Sequence, residues 1–492
     1  MTSTAQDVPM DAASGKRFAV TKVQLRSIVG GCVGNLIEWY DFLVYSIFSI
    51  YFASSFFPQG DQTAQLLNVT AVAAVGYVAR PLGSWLMGRY ADRRGRRVTL
   101  AVSVSLMCFG SLLIAVTPTY ATIGVAAPAL LVVARLLQGL SMGGEYGTSA
   151  TYLSEMAPRE RRGFFVGFMQ VSVVSGQLAA LALLLLLQHA ILRPGQMESW
   201  GWRIPFVIGG IFALFALYLR RGIAETDAFR KAGIKEQSRG SITTLLAHWR
   251  VILLAIGITV GGTISFYTYT VYMQKFMVNT VGMTKEAASL TTAAALLCYL
   301  PLQPLFGLVS DLIGRRPVMI FFGAAGALLT VPLLTAMSHA GSAWEAFALN
   351  FAALFILSGF TSIHMLVKSE LFPAEVRALG VGLPYAITTA ILGGTTEWVA
   401  LQFKAMGREE WFYWYVTGAI LISLVVYLIM PETRWTSTLD GATLQPLGSQ
   451  IVAPISRQVQ RSGVINSRHT GRTSSSIRSD LDFRYTQPCC RP

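Results

Sequence analysis

Long apolar stretches alternate with short polar ones along almost the whole chain. They run near positions 28–53, 66–88, 98–117, 125–153, 164–190, 203–219, 251–273, 287–309, 318–337, 344–367, 379–402 and 411–430. Each is close to the roughly 20 residues that an α-helix needs to cross a hydrocarbon core. The pattern predicts an all-α membrane protein with twelve transmembrane helices. The longest polar connection falls in the middle, so the spans divide into two sets of six. The expected organisation is an N-terminal tail over 1–25, a first six-helix half over 26–221, a central loop over 222–250, a second half over 251–430 and a disordered tail over 431–492.

The halves also repeat each other in sequence. Gly88-Arg-Tyr-Ala-Asp92-Arg93-Arg-Gly95-Arg96-Arg97 returns as Gly307-Leu-Val-Ser-Asp311-Leu-Ile-Gly314-Arg315-Arg316, each between two apolar runs. A second phrase recurs likewise: Glu155-Met-Ala-Pro158-Arg-Glu160-Arg-Arg162 follows the fourth run and Glu370-Leu-Phe-Pro373-Ala-Glu375-Val-Arg377 the tenth. A charged loop used twice at corresponding places implies a duplicated bundle, so the halves are expected to be pseudo-symmetric.

Composition agrees: 53% of residues are hydrophobic and only 13% charged, against roughly 25% charged in an ordinary soluble domain. The net charge of +14 raises nucleic acid as a partner, but the arginines occupy short loops and form no basic face. Positive-inside topology accounts for them better. Arg93 to Arg97, Arg159 to Arg162, Arg220 to Arg239 and Arg315 with Arg316 fall on one side, while the loops around Asp61, Pro118 and Ser338 carry no lysine or arginine. Both termini are therefore expected in the cytoplasm. The start reads as a cytoplasmic tail and not a signal peptide, because no small-residue cleavage site follows a short apolar core. Five cysteines without ligand spacing suggest neither a disulfide framework nor a metal site.

Ionisable residues inside a span cost roughly 2.5–3.5 kcal/mol on insertion scales, so each is a functional candidate. Asn35, Glu38, Asp41 and Tyr45 share one stripe of the first span. A buried carboxylate there suits proton loading; the alternative is an ion pair with an arginine of the second or fourth span. Arg80 lies about 12 Å inside the cytoplasmic end of its run at 1.5 Å per residue. Its planar guanidinium suits bidentate capture of a carboxylate, unless it merely pairs with Glu38 or Asp41. Arg135, with Gln138 one turn on, and Glu145 complete the candidates of the first half.

In the second half, Tyr267, Tyr269, Tyr272 and Gln274 crowd the end of the seventh span. They fit a substrate gate or an aromatic belt. Arg203 reads as an anchor at the outer end of the sixth span. Lys368, near His364, reads as a snorkelling lysine at a helix end. The charged loops read as a latch. Asp92 is placed to meet the N-terminus of a helix from the other half, and Arg93, Arg96 and Arg97 to pair with acids such as Glu155. Asp311, Arg315 and Glu370 are the second half's counterparts. The contacts would hold an outward-facing state and break when the inside opens.

The paired loops resemble those of the major facilitator superfamily. Asn35-Leu-Ile-Glu38-Trp-Tyr-Asp41-Phe, Arg80-Pro81 and Trp200-Gly-Trp202-Arg203-Ile-Pro205-Phe206 resemble its metabolite:proton symporter family. Within that family, Gly143-Gly-Glu-Tyr-Gly-Thr-Ser-Ala-Thr-Tyr152, Tyr272-Met-Gln-Lys-Phe276 and Phe372-Pro-Ala-Glu-Val-Arg-Ala-Leu-Gly-Val-Gly382 are similar to members that carry 2-oxoglutarate. The resemblance implies a monomeric twelve-helix symporter of the bacterial inner membrane that takes up 2-oxoglutarate or a similar organic anion with protons. No cofactor and no nucleic acid are expected. On this reading Arg80, Arg135, Gln138, Tyr267 and Tyr272 bind substrate, and Glu38, Asp41 or Glu145 carries the proton. The fifth span lacks the glycine-proline pair of the superfamily's antiporters, which favours symport. Carriers of citrate, shikimate, proline or betaine are the alternatives in the same class. A metabolite receptor signalling through its tail is a different one. An enzyme is disfavoured, since no nucleophile lies near a base within the spans.

Overall fold

The computed structural model describes residues 22–58, 62–193, 195–220 and 241–440. In a hydrocarbon core each backbone polar group must be satisfied within its own segment, so apolar runs of this length fold as helices. The first six are α1 Lys22–Phe56, α2 Gln62–Arg94, α3 Arg96–Val116, α4 Ala126–Met156, α5 Arg162–Leu186 and α6 Ile204–Arg220. The second six carry more interruptions. In α7, Trp249–Phe266 runs through a π turn, Tyr267–Tyr272, into Met273–Asn279; α8 is Lys285–Tyr299 and Leu302–Ile313, parted at Pro301. Next come α9 Arg315–Ser338 and α10, which is Ala343–Thr361 followed by His364–Leu371. Finally α11 joins Arg377–Thr388 to Thr396–Ala405 through a π turn, Thr389–Gly393, and α12 is Glu410–Ile429.

Among the described residues, nine helices meet both the length and the apolarity needed to cross a membrane. Of the other three, α1 and α2 have the length, at 35 and 33 residues, but carry Glu38, Asp41 and Arg80 midway. The apolar part of α6, Gly201–Phe215, is short. The twelve-helix reading therefore stands.

Within the first half α4 packs on α2 and α3, α1 on α5, and α3 on α6. Within the second, α12 packs on α7 and α9, and α10 on α8 and α9. Large apolar side chains such as Val78, Phe109, Phe215, Leu328 and Trp414 face outward, as a lipid-facing surface requires. The halves meet along two seams, α8 against α5 and α11 against α2 and α4. The chain turns from α2 into α3 at Gly95 (φ 102°) and from α8 into α9 at Gly314 (φ 108°). This backbone region is costly for residues with a Cβ, so the repeated loops each have a glycine at the corner.

The seams close by backbone contact. A Cβ added to Gly307 would lie 2.2 Å from the Gly163 carbonyl oxygen, and one added to Gly147 would lie 2.5 Å from the Ala378 oxygen. Small residues of this kind let helices meet where any side chain would hold them apart. Beyond α12 the chain does not leave the bundle at once. The Glu432 carboxylate accepts from Arg315 N at 2.8 Å and Arg316 N at 2.9 Å, capping α9, and Thr433 Oγ1 donates to Glu370 at 2.6 Å. The tail expected to be disordered from 431 is thus ordered through 440, because Glu432 and Thr433 have partners on the bundle. Residues 441–492, 1–21 and 221–240 lie outside the described residues.

If these glycine contacts seal the cytoplasmic side, Gly307→Leu should hold α8 and α5 apart. The expected result is rapid thiol labelling of Ser310→Cys from the cytoplasmic side in the leucine variant and slow labelling with glycine retained. Equal rates would contradict the seal.

Candidate functional site

The site grows from the crossing of α2 and α4. A Cβ on Gly139 would lie 2.3 Å from the Gly76 oxygen, and one on Gly143 would lie 2.1 Å from the Arg80 oxygen. The two backbones therefore touch, and their arginines are forced into the same layer. Arg80 and Arg135 both line a cavity of about 10 Å³, together with Phe42, Gln138 and Met142. That is room for about one water at most. A second cavity, of about 20 Å³, shares Arg80 and Met142 and extends to Glu38, Trp39, Tyr146 and Tyr385.

Arg80 is 4% exposed. Its Cζ lies 4.5 Å from the Phe42 ring centre and 4.2 Å from that of Tyr77, and Nη1 donates to Tyr267 Oη at 3.4 Å. Among the described residues Nε and Nη2 find no hydrogen-bond partner. The expected alternative, an ion pair with Glu38 or Asp41, is not found for Arg80 among the described residues. What remains is a guanidinium braced by rings on its faces, with N–H groups on its edge left over. A carboxylate is the group that matches such an edge.

Arg135 is engaged differently. Its Nη1 donates to Gln138 Oε1 at 2.8 Å, Gln138 Nε2 donates to Ser111 Oγ at 3.0 Å, and Ser111 Oγ donates to Asp41 Oδ2. Asp41 is fully buried, and among the described residues its Oδ1 has no hydrogen-bond partner. A continuous chain of polar groups thus links an arginine to an acid without direct contact. Glu38 accepts from Ser141 Oγ at 3.0 Å and lines the larger cavity.

The polar stripe of α1 does not act as one surface. Asn35 donates to Met169 O (3.1 Å) and Ser172 Oγ (2.8 Å) on α5, and Tyr45 donates to Val69 O (3.1 Å) on α2. With Glu38 turned to α4 and Asp41 to α3, each member serves a different neighbour. Tyr267 and Tyr272 also part company. Tyr267 meets Arg80, whereas Tyr272 packs on Phe276 (6.1 Å) and Phe412 (5.5 Å) of its own half. Tyr272 is held by the aromatic side chains of its own half, so the expectation that both would bind substrate is corrected for Tyr272. Arg203 is an anchor as expected: it donates to Ala115 O (2.6 Å) and Thr117 O (2.7 Å), ending α3.

At the seams between the halves the same contact is made twice. Asp92, ending α2, accepts from Ala378 N (3.2 Å) and Leu379 N (3.1 Å) at the start of α11. Asp311, ending the second part of α8, accepts from Gly163 N (2.8 Å) and Phe164 N (2.9 Å) at the start of α5. Each carboxylate of one half therefore sits on a helix N-terminus of the other, where free amides and the helix dipole favour negative charge. Glu155 pairs with Arg377 at 2.7 Å; Arg315 pairs with Asp311 at 2.6 Å and reaches Glu370 at 3.6 Å. Arg93 is half-buried and Arg97 exposed. The side chains of Arg96 and Glu145 lie outside the described residues.

Lys368 was expected to snorkel, and it does the opposite. It is fully buried, and Nζ donates to Tyr146 Oη at 2.6 Å. The break in α10 after Thr361 starts a new helix at His364, whose side chain lies 3.4 Å from the same hydroxyl. Tyr146 and Tyr385 stack with ring centres 3.5 Å apart. Tyr146 and Tyr385, with Ser111 and Ser141, are what reading the sequence missed, and Lys368 and His364 are what it placed at a helix end instead of in the bundle. For Lys368 the signal was present: an ionisable residue in an apolar run, four after a histidine and so on its face.

The fold agrees with those of known proteins. The sugar (and other) transporter family matches over residues 28–231 and 221–440. The alpha-ketoglutarate permease of Escherichia coli strain K12 is 48% identical over 410 residues, covering 83% of this chain and 94% of the permease. The citrate-proton symporter of Klebsiella pneumoniae is 33% identical over 398 residues, 80% of this chain and 87% of the relative. In fold, the chain resembles the major facilitator superfamily proton:xylose symporter XylE bound to 6-bromo-6-deoxy-D-glucose, with a TM-score of 0.72 at 19% identity over 86% of this chain and 98% of that one. By the family match and the identity to the permease, the chain belongs to the sugar (and other) transporter family, and is a transporter rather than an enzyme.

Proposed function

We propose that the protein imports 2-oxoglutarate with protons across the bacterial inner membrane by alternating access, as a monomer with both termini cytoplasmic and no cofactor. The observation that carries this reading is an unpaired guanidinium at midspan, Arg80, in a chain 48% identical to an alpha-ketoglutarate permease. A buried cation without a counter-ion is unfavourable in a low-dielectric bundle, so the site gains most from a ligand that brings negative charge. A zwitterionic osmolyte brings none in net, which is why the anion is preferred over the proline/betaine reading.

On this account one substrate carboxylate takes the open edge of Arg80, with the Tyr267 hydroxyl beside it. Arg135 adds positive charge from above, and Asp41 takes the proton through its free oxygen. A proton on Asp41 cancels the charge that Arg135 otherwise answers through Gln138 and Ser111. Arg135 is then released to the anion, which is how the two cargoes come to depend on each other. Once substrate and proton are both bound, the outer side closes and the carboxylate-to-amide contacts at Asp92 and Asp311 give way. Inward-facing binding energy must exceed that of the seams for the change to proceed.

Arg80→Lys keeps the charge but loses the paired N–H edge, and its KM for 2-oxoglutarate in proteoliposome uptake should rise about tenfold or more. An unchanged KM would remove Arg80 from the binding site. Asp41→Asn cannot release a proton. It should lose gradient-driven accumulation while still exchanging labelled for unlabelled substrate across the membrane. Accumulation intact in that variant would transfer the proton to Glu38, and loss of exchange as well would make Asp41 structural.

A further inference from the structure

Lys368 is not explained by the binding and coupling roles above. Among the described residues it has no carboxylate partner: its contacts are the Tyr146 hydroxyl at 2.6 Å and two ring faces, 4.9 Å from the centre of Tyr146 and 4.5 Å from that of Tyr385. An ammonium has three N–H donors, and only one of them is used here. Ring faces offset part of its burial, but an anion would offset more.

Its place in the fold gives this meaning. The cavity that touches Arg80 and Glu38 is also lined by Tyr146 and Tyr385. The stacked rings form part of its wall, and Lys368 lies directly against them. Tyr146 belongs to α4 and Tyr385 to α11, so the stack joins the two halves and must part when the cytoplasmic side opens. Parting removes the hydroxyl and one ring from the amine, leaving its donors facing the cavity. Arg80, on the first half, and Lys368, on the second, then stand at opposite ends of one compartment.

We propose that Lys368 is a second cationic subsite, which takes the distal carboxylate of the dicarboxylate whose first carboxylate is held by Arg80. This rests on the proposed function. The dianion bridges a cation of one half to a cation of the other, which a monocarboxylate of the same length cannot do. Lys368 thereby selects dianions and draws the substrate toward the cytoplasmic exit.

The test is competition against radiolabelled 2-oxoglutarate binding to purified full-length protein, by unlabelled 2-oxoglutarate and by 2-oxopentanoate, which has the same chain length but one carboxylate. For Lys368→Met, 2-oxoglutarate should weaken about tenfold or more, the scale of a lost charge-assisted hydrogen bond, while 2-oxopentanoate shifts by less than about twofold. Lys368→Arg should restore most of the difference. Tyr146→Phe, which removes the hydroxyl but keeps the amine, should retain the preference for the dianion. If both ligands weaken equally in the methionine variant, or neither does, or if Tyr146→Phe loses the preference as fully, Lys368 is structural and the proposal fails. Wild-type protein that does not bind 2-oxoglutarate removes the proposed function instead, and this inference with it.

Discussion

Two carboxylates tie the halves of the bundle together at one end. Asp92 sits on the first amides of α11 and Asp311 on those of α5, so each half caps a helix of the other. The arrangement needs backbone contact to bring the amides within reach, which is why glycines line the same seams. It also needs the corner glycines after each aspartate, because a longer turn would carry the carboxylate away from the seam. Charge, close approach and chain reversal are therefore a single constraint, met twice by duplication. The capping energy of such contacts is modest, about 0.3–2 kcal/mol each. A modest seal suits a protein that must break it in every cycle.

Above the seal the bundle keeps cations in short supply of partners. Among the described residues, Arg135 reaches an acid only through Gln138 and Ser111, Arg80 reaches none, and Lys368 donates only to a tyrosine. A folded protein under no functional demand would pair these charges or replace them with apolar groups. Here the deficit of negative charge lies along the path between the halves, where a mobile anion can supply it. The proposed binding site is thus defined less by what it contains than by what it leaves unsatisfied.

Much of this was legible in the sequence, for a physical reason. Spans follow from hydropathy because lipid imposes helices of one length, and the latch followed from a motif that recurs at a fixed place in each half. Arg80 and Arg135 stood out because a charge inside an apolar run has few structural uses. What could not be read was direction. Asn35, Glu38, Asp41 and Tyr45 share a stripe, yet they bond to four different helices, since neighbours on both sides of a helix are set by packing alone. Tyr272 turns away from Arg80 while Tyr267 meets it. Lys368 lies close enough to a helix end to snorkel, but the break at residues 362–363 sets the direction of the last helix segment and turns the amine inward. Glu432 and Thr433 follow the last span and read as tail, because their partners, Arg315, Arg316 and Glu370, are far away in sequence.

The central claim is that the anion and the proton cross together. The most direct measurement is the pH of a weakly buffered medium around proteoliposomes when 2-oxoglutarate is added with no gradient imposed. Coupled entry takes protons from the medium, so the account predicts an immediate alkalinisation that depends on the protein and is collapsed by a proton ionophore. Entry of radiolabelled 2-oxoglutarate with no change in external pH would contradict it.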